Sequence, residues 1–370
     1  MSAYIVAAAR TVIAPKGGLH RDTPMHDLAS SALRFAWQAL RKPNAAPDRV
    51  ILGNALAAGG NPARVAALAT FDDSVPAMTI DTQCCSGMDA VTQAAALVFS
   101  GSANTVLAGG VESHSQAPLR SRKTPTGYEP YRQAQFTPWQ DRDPDVLEAA
   151  QAFAIAHQIT RQQQEKYAIE CHAKLLQQNR IRDTYTRALT LAICARMPAL
   201  IPGIDPAPNS YAITAATVAP EADGAAALLV VNRKIAKHFA SALEIVSHAQ
   251  AGCDPVSPAV GGITAAEKLL EGIAPATRRK ISAIEIMESF AAQAIQNRCW
   301  LTARYGFDSQ IMNSQGGLLG IGHPIGASGA VLVGNLLTRL AQEPAGAYGL
   351  ACIPAAGGLG SAILVKRVAP

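Results

Sequence analysis

The sequence predicts an α/β protein made of two similar halves with a different segment inserted between them. Three observations predict it. The first is an internal echo. "CSGMDAVTQAAALVFSGSANTVLAGG" reads as Ser-Gly, a helix, a turn and a short apolar strand, and "ASGAVLVGNLLTRLAQEPAGAYGLACI" repeats that order. Ser86-Gly87 and Ser328-Gly329 stand 242 residues apart, and self-similarity of this kind marks a duplicated unit. The second is that each half mixes strands with helices, with "RVILGNAL" (Arg49 to Leu56) and "ISAIEIMESF" (Ile281 to Phe290) as matching apolar strands that run into polar residues. The third is composition: of 370 residues, 49% are hydrophobic and only 16% charged, against roughly 25% charged in an average soluble domain. Such a chain buries a large core and has apolar surface to spare for an oligomer interface.

Residues 1–118 with 214–240 form the expected N-terminal half, 119–213 the inserted loop domain and 241–370 the C-terminal half. The opening "MSAYIVAAARTVIAPKGG" has no positive stretch ahead of its apolar residues, so it reads as a first strand and not as a signal peptide. "PAMTID" is a short strand that leads into the helix former "SGMDAVTQAAALVF". The insert opens with a polar, proline-containing loop, "RSRKTPTGYEPYRQAQFTPWQDRDP", followed by a helix over about Asp145 to His157. A second helix starts at Thr160, with Gln163 in capping-box spacing. The Arg/Lys excess of this insert suits either phosphate contact or a solvated face.

Several function classes are disfavoured. The net charge is +5, without Lys/Arg runs and with 5% aromatics, which argues against a nucleic-acid partner. No apolar run approaches the ~20 residues of a membrane span. Seven cysteines, an odd number in a chain large enough to need no staples, point to reduced thiols and a cytoplasmic setting. Neither Cys84-Cys85 nor Cys171-His172 has the loop spacing of a metal site, so no metal is expected.

Three stretches carry candidate chemistry. In "DTQCCSGMDA", Cys84 and Cys85 fall on a strand-to-helix turn, where unpaired N–H groups and the positive helix end lower a thiol pKa and favour thiolate. Adjacent residues on a turn point apart, so at most one of the two is a nucleophile, and two packed small residues would look the same. In "NSQGGLLGIGHPIGASGA", glycines let backbone approach a ligand, and His323-Pro324 presents an imidazole in the segment that echoes the cysteine turn. A base beside a thiol is what nucleophilic catalysis requires. In "ACIPAAGGLGSAILVKR", a Gly-rich turn between strands offers N–H groups for an oxyanion pocket, or is simply a tight hairpin.

Together and in this order, these segments resemble the thiolase family, the CoA-dependent enzymes that make or cleave 3-ketoacyl-CoA. The resemblance spans nearly the whole chain, through "VAAARTVIAPKGG", "CCSGMDA", "LAGGVESHSQAP", "EADGAAALLV", "EIMESFAAQ", "NSQGGLLGIGHPIGASGA" and "GGLGSAILVKR". It implies the thiolase fold, a five-layered α/β/α/β/α arrangement of duplicated halves with an inserted loop domain that covers CoA. It further implies Cys84 as the acylated nucleophile, His323 as its activating partner, an oxyanion hole of the Cys84 and Ala356 N–H groups, CoA and acyl-CoA as substrates with no permanently bound cofactor, a homodimer, and a place in lipid metabolism. Met88, Ala219 and Phe290 are near enough to the motifs to line the substrate, although core packing would also explain Met88 and Phe290.

Three departures from the family pattern bear on the chemistry. The family's second cysteine, the acid/base at the substrate α-carbon, aligns without gaps on Pro354, which transfers no proton; a two-residue shift would bring in Cys352, against the spacing from Leu350 to Gly357. The family's Asn-Glu-Ala-Phe box is Met287-Glu288-Ser289-Phe290, so the Asn that fixes an oxyanion water is absent, and Glu288 is either a base or a buried structural carboxylate. The Asn-Ala-Ser before Asp-Gly-Ala is Thr217-Val218-Ala219, with the serine lost. Two readings follow. In the first, acyl groups pass through a Cys84 thioester to or from CoA, with carbon–carbon chemistry dependent on Cys352, Cys85 or Glu288 as replacement base. In the second, a degenerate thiolase binds CoA esters or a protein partner.

Overall fold

The halves meet at a seam in one sheet. In the computed structural model, which describes residues 2–41, 45–57, 59–178, 182–203 and 210–369, the N-terminal half contributes β1 (Ala3–Arg10), β2 (Ala14–Pro15), α1 (Met25–Gln38), β3 (Arg49–Gly53), α2 (Pro62–Leu68), β4 (Ala77–Ile80), α3 (Ser86–Phe99) and β5 (Thr105–Glu112). The insert carries β6 (Ser121–Thr124), β7 (Gly127–Pro130), α4 (Val146–Ala156), α5 (Arg161–Leu176) and α6 (Leu191–Ala195). After it come β8 (Ala222–Asn232), α7 (Arg233–Ala236), β9 (Ala242–Gly252), α8 (Gly261–Glu271), α9 (Pro275–Arg278), β10 (Ile281–Ile286), α10 (Ala291–Tyr305), α11 (Leu318–Ile321), α12 (Ile325–Leu340), β11 (Tyr348–Ala355) and β12 (Leu359–Val368).

The strand order is β10-β11-β12-β9-β1-β8-β5-β3-β4, with β2 pairing on β8. Only Tyr4↔Glu244 and Ile5↔Leu243 register across the β1–β9 seam, so the sheet turns there and encloses helices between its two wings. One core packs α1 and α2 outside the N-terminal wing, through Leu28, Leu33 and Trp37 against Leu52, Leu107 and Leu229. A second holds α3 and α12 between the wings, through Met88, Val91, Val331 and Leu332. A third packs α8 and α10 outside the C-terminal wing, through Leu269, Leu270 and Leu301 against Ile284, Ile286 and Leu364. These are the five layers of the thiolase fold. Each strand buried on both faces is read in the sequence as a continuous apolar run, as in the fully buried β5 and the nearly fully buried β8.

The echoing Ser-Gly pairs sit where α3 and α12 cross. Cβ atoms added at Gly53, Gly87 and Gly110 would lie 2.6, 2.7 and 1.8 Å from the Gly326 carbonyl oxygen, and one at Gly329 would lie 2.5 Å from Met88 N. Glycine is therefore required for backbone to meet backbone at this crossing. It fixes the N-terminal ends of both helices side by side. Glu112, at the end of β5, ties the crossing: it accepts from Asn54 Nδ2 (2.7 Å), Ala55 N (3.0 Å), Leu56 N (3.2 Å) and Gly326 N (3.0 Å).

In the insert, Asp145 caps α4, and Thr160 and Gln163 form the reciprocal capping box of α5. The stretch expected as an irregular loop contains a two-stranded hairpin instead, β6 against β7, held by the Ser121↔Pro130 to Thr124↔Gly127 register and an Arg122–Glu129 contact of 3.2 Å. Among the described residues, no helix is long and apolar enough to cross a membrane.

Candidate active site

The turn before α3 is built from short-range polar contacts. Gln83 has φ of 54°, in the left-handed region, and Asp81 Oδ1 accepts its N–H at 2.9 Å. Ser86 Oγ accepts from Thr82 N (2.9 Å) and donates to the Gln83 carbonyl (2.5 Å). Asp89, one turn into α3, accepts from Thr82 Oγ1 and from Ser361 Oγ of β12, both at 2.6 Å. A non-glycine residue at positive φ costs energy that such a network must repay. The result is a rigid turn that leaves Cys84 half-buried at the helix start while Cys85 is buried, its Sγ donating to the Ile353 carbonyl at 3.4 Å.

His323 reaches Cys84 from the other half. It follows Gly322, which has φ of 118°, and its N–H donates to the Pro220 carbonyl at 2.8 Å. Its Nε2 lies 3.2 Å from Cys84 Sγ and its Nδ1 lies 2.6 Å from Ser328 Oγ. Ser328 also donates to the Pro324 carbonyl at 3.2 Å, so its oxygen accepts the Nδ1 proton and Nε2 is left as an acceptor for the thiol. The main-chain N–H groups of Ala356 and Cys84 point at Cys84 Sγ and favour its anion. Burial outweighs them and pushes the thiol up to about 12. Burial, and then the neighbouring His114, lower His323 to about 3. Both shifts run against the expectation of a preformed thiolate: desolvation favours a neutral thiol and a neutral imidazole over the helix-end field.

The other candidates are dispersed. Cys352 sits in the outer core with Ile286, Leu350 and Ala362, whereas its strand neighbours Ala351, Ile353 and Ala355 face the central helices. The period-two alternation of β11 thus turns Cys352 away from Cys84, and burial alone pushes its thiol up to about 12. Glu288 is 1% exposed and already engaged: Tyr167 Oη donates to it at 2.5 Å, Leu319 N at 3.3 Å and Cys171 Sγ at 3.5 Å. It ties α5 to the glycine loop, which is a bracing geometry, and burial raises its pKa. Met88 is fully buried against Gly329 in the helix crossing, where it packs the core. Ala219 donates its N–H to the Ser289 carbonyl at 3.0 Å, and Val218 bridges Phe290. Those contacts put Ala219 and the half-buried Phe290 in one strip below the insert. Met287 is fully buried, with only its main chain hydrogen-bonded, to Cys352 and Gln293. All seven cysteines are free thiols.

A cysteine and a histidine brought within 3.2 Å of each other from the two halves are an arrangement that suits nucleophilic catalysis. The chain belongs to the thiolase family: residues 3–182 match its N-terminal domain and residues 239–367 its C-terminal domain. Among similar proteins is "Putative acetyl-CoA C-acetyltransferase YhfS" of Bacillus subtilis, 34% identical over 385 residues, with 100% of both chains covered. A protein of the same description named VraB, from Staphylococcus epidermidis, is 31% identical over 98% of each chain. The Bacillus anthracis acetyl-CoA acetyltransferase has a similar structure, with a TM-score of 0.83, 27% identity and 99% of both chains covered. Human mitochondrial 3-ketoacyl-CoA thiolase shares the fold, with a TM-score of 0.84 at 24% identity, over 99% of this chain and 98% of that one.

Proposed function

We propose that this protein is a thiolase-type acyl-CoA acyltransferase that works through an acyl thioester on Cys84. The carrying observation is the 3.2 Å contact between Cys84 Sγ and His323 Nε2, with the Ala356 and Cys84 N–H groups aimed at the sulfur. Cys84 Sγ attacks the thioester carbon of an acyl-CoA and its proton passes to His323 Nε2. The carbonyl oxygen becomes an oxyanion held by those two N–H groups. Collapse of the intermediate breaks the carbon–sulfur bond to CoA, whose thiolate takes the proton from His323. Reversal with CoA or another acceptor releases the acyl group.

Acyl transfer needs no α-proton removal, so it is compatible with Pro354 at the aligned position and with the remote placement of Cys352. The reading extends to a loop domain over residues 119–213 that covers CoA, with Ala219 and Phe290 beside the acyl group, and to a homodimer in the cytoplasm serving lipid metabolism. The unpaired sheet edge at β4, next to the exposed Val65 and Leu68, supports the dimer.

The test is the intact mass of the protein after incubation with acetyl-CoA and with longer acyl-CoAs, with Cys84→Ala alongside. An acyl adduct absent from the variant is the expected result. Folded protein that binds acyl-CoA without forming an adduct would sink the reading in favour of a CoA-ester binding protein, the alternative that Met287 and Pro354 motivate.

A further inference from the structure

A second histidine stands beside the reacting pair, and acyl transfer as described makes no use of it. His114 follows the end of β5 in "GGVESHSQ". It is 8% exposed, and its charge acts on the His323 imidazole. His114 Nδ1 is 3.8 Å from Glu221 Oε2. Its Nε2 is buried and has no hydrogen-bond partner among the described residues. Glu221 also meets Lys16 Nζ at 3.1 Å and Arg132 at 3.8 Å. The segment that carries this carboxylate also anchors His323, through the Glu221–His323 bridge and the Pro220 carbonyl. The charged and titratable groups that face His114 are therefore Glu221, Asp223, Lys16 and His323.

Acylation requires a transient imidazolium on His323, buried and without a carboxylate on its ring, since both ring nitrogens are taken by Cys84 and Ser328. The nearby field then decides how readily that cation forms. With His114 neutral, no neighbouring charge from it opposes that cation. With His114 protonated, a positive charge stands beside the forming imidazolium and raises its cost. Because neither His114 nitrogen is committed to a strong partner, the ring is free to change charge.

We propose that His114, paired with Glu221, is a positioning residue that sets the proton affinity of His323 and switches the Cys84–His323 pair off when His114 takes up a proton. Its role in acyl transfer rests on the function proposed above; its effect on Cys84 reactivity does not. Burial lowers the His114 pKa from the ordinary histidine value, so the switch operates on the acid side of that value.

The experiment is the rate of Cys84 alkylation by iodoacetamide from about pH 4 to about pH 9, read on the Cys84 peptide because Cys299 is also exposed, beside acyl-adduct formation from acetyl-CoA. The unsubstituted protein should lose about tenfold or more of its Cys84 reactivity across an acid limb below the ordinary histidine range. His114→Gln, which keeps an amide of similar size but cannot titrate, should abolish that limb. Glu221→Gln should move the limb to lower pH, since His114 loses the partner that favours its cation. A His114→Gln profile with the limb intact would overturn the proposal. If that variant does not fold, the half-exposed Glu221→Gln decides alone, and an unmoved limb overturns it. A His114-dependent limb without any acyl adduct would sink the acyltransfer reading and leave this proposal standing, whereas an adduct with an unmoved limb would do the reverse. A purely structural His114 would move the melting temperature and leave the limb in place.

Discussion

His323 Nδ1 and Ser328 Oγ stand 2.6 Å apart where the chain enters α12, and this contact decides which imidazole nitrogen faces Cys84. Ser328 is fully buried. Ser328→Ala leaves the Nδ1 proton unpaired in the interior, which costs about 1–3 kcal/mol, and frees the ring to present Nε2–H to the thiol. Acyl-adduct formation should slow by about tenfold or more, measured by rapid-quench intact mass. A rate equal to that of the unsubstituted protein would show that something else holds the tautomer.

The neutral resting pair has a distinctive pH signature. With the thiol pushed up to about 12 and His323 held down to about 3, neither group changes charge between those limits. Cys84 alkylation at neutral pH then proceeds through proton transfer to His323, and free thiolate adds a rising branch only as pH climbs toward the thiol value. His323→Ala should lower the neutral rate by about 10²–10⁴ and keep the alkaline rise. A preformed ion pair would instead lose its neutral reactivity in that variant and show no alkaline rise beforehand.

Tyr167 and Glu288 join α5 to the glycine loop at 2.5 Å. Tyr167→Phe removes a charge-assisted hydrogen bond from a buried carboxylate, and stability should fall by about 1.5–3 kcal/mol, readable as a lower melting temperature. The acylation rate at a temperature where the variant is folded should stay within about twofold. Loss of acylation out of proportion to stability would return Glu288 to the list of bases.

Cys352 faces the outer core. Cys352→Ala should cost about 1 kcal/mol of stability without altering adduct formation. A thiolase-like carbon–carbon cleavage activity that disappeared in this variant would contradict the strand alternation described above.

Much of this site was legible in the sequence, and the parts that were not share a cause. The Ser-Gly echo was legible as a duplication because the pattern repeats locally, whereas the crossing of α3 and α12 that needs those glycines joins residues 242 positions apart and was not read. The Thr160–Gln163 box was readable because both partners lie within one turn. The hairpin at Ser121–Pro130 was hidden because Pro125 and the surrounding charges read as loop, and its register depends on cross-strand partners. The thiol's proton affinity was misjudged because a helix end is visible in sequence and desolvation is not. Glu288 could be listed as a base only while Tyr167, 121 residues away, was unseen, and His114 attracted no notice because its neighbours arrive from residues 16, 221 and 323.

The seam between β1 and β9 also bears on the order in which the molecule is made. Among the described residues, strand β1 pairs with residues 226–244, and Cys84 meets His323, 239 positions later. Long-range pairings of this kind close slowly. As the chain leaves the ribosome, the Cys84 turn therefore emerges long before His323 exists. During synthesis the thiol has no imidazole beside it, and the Cys84–His323 contact forms only when the second wing of the sheet closes over the first.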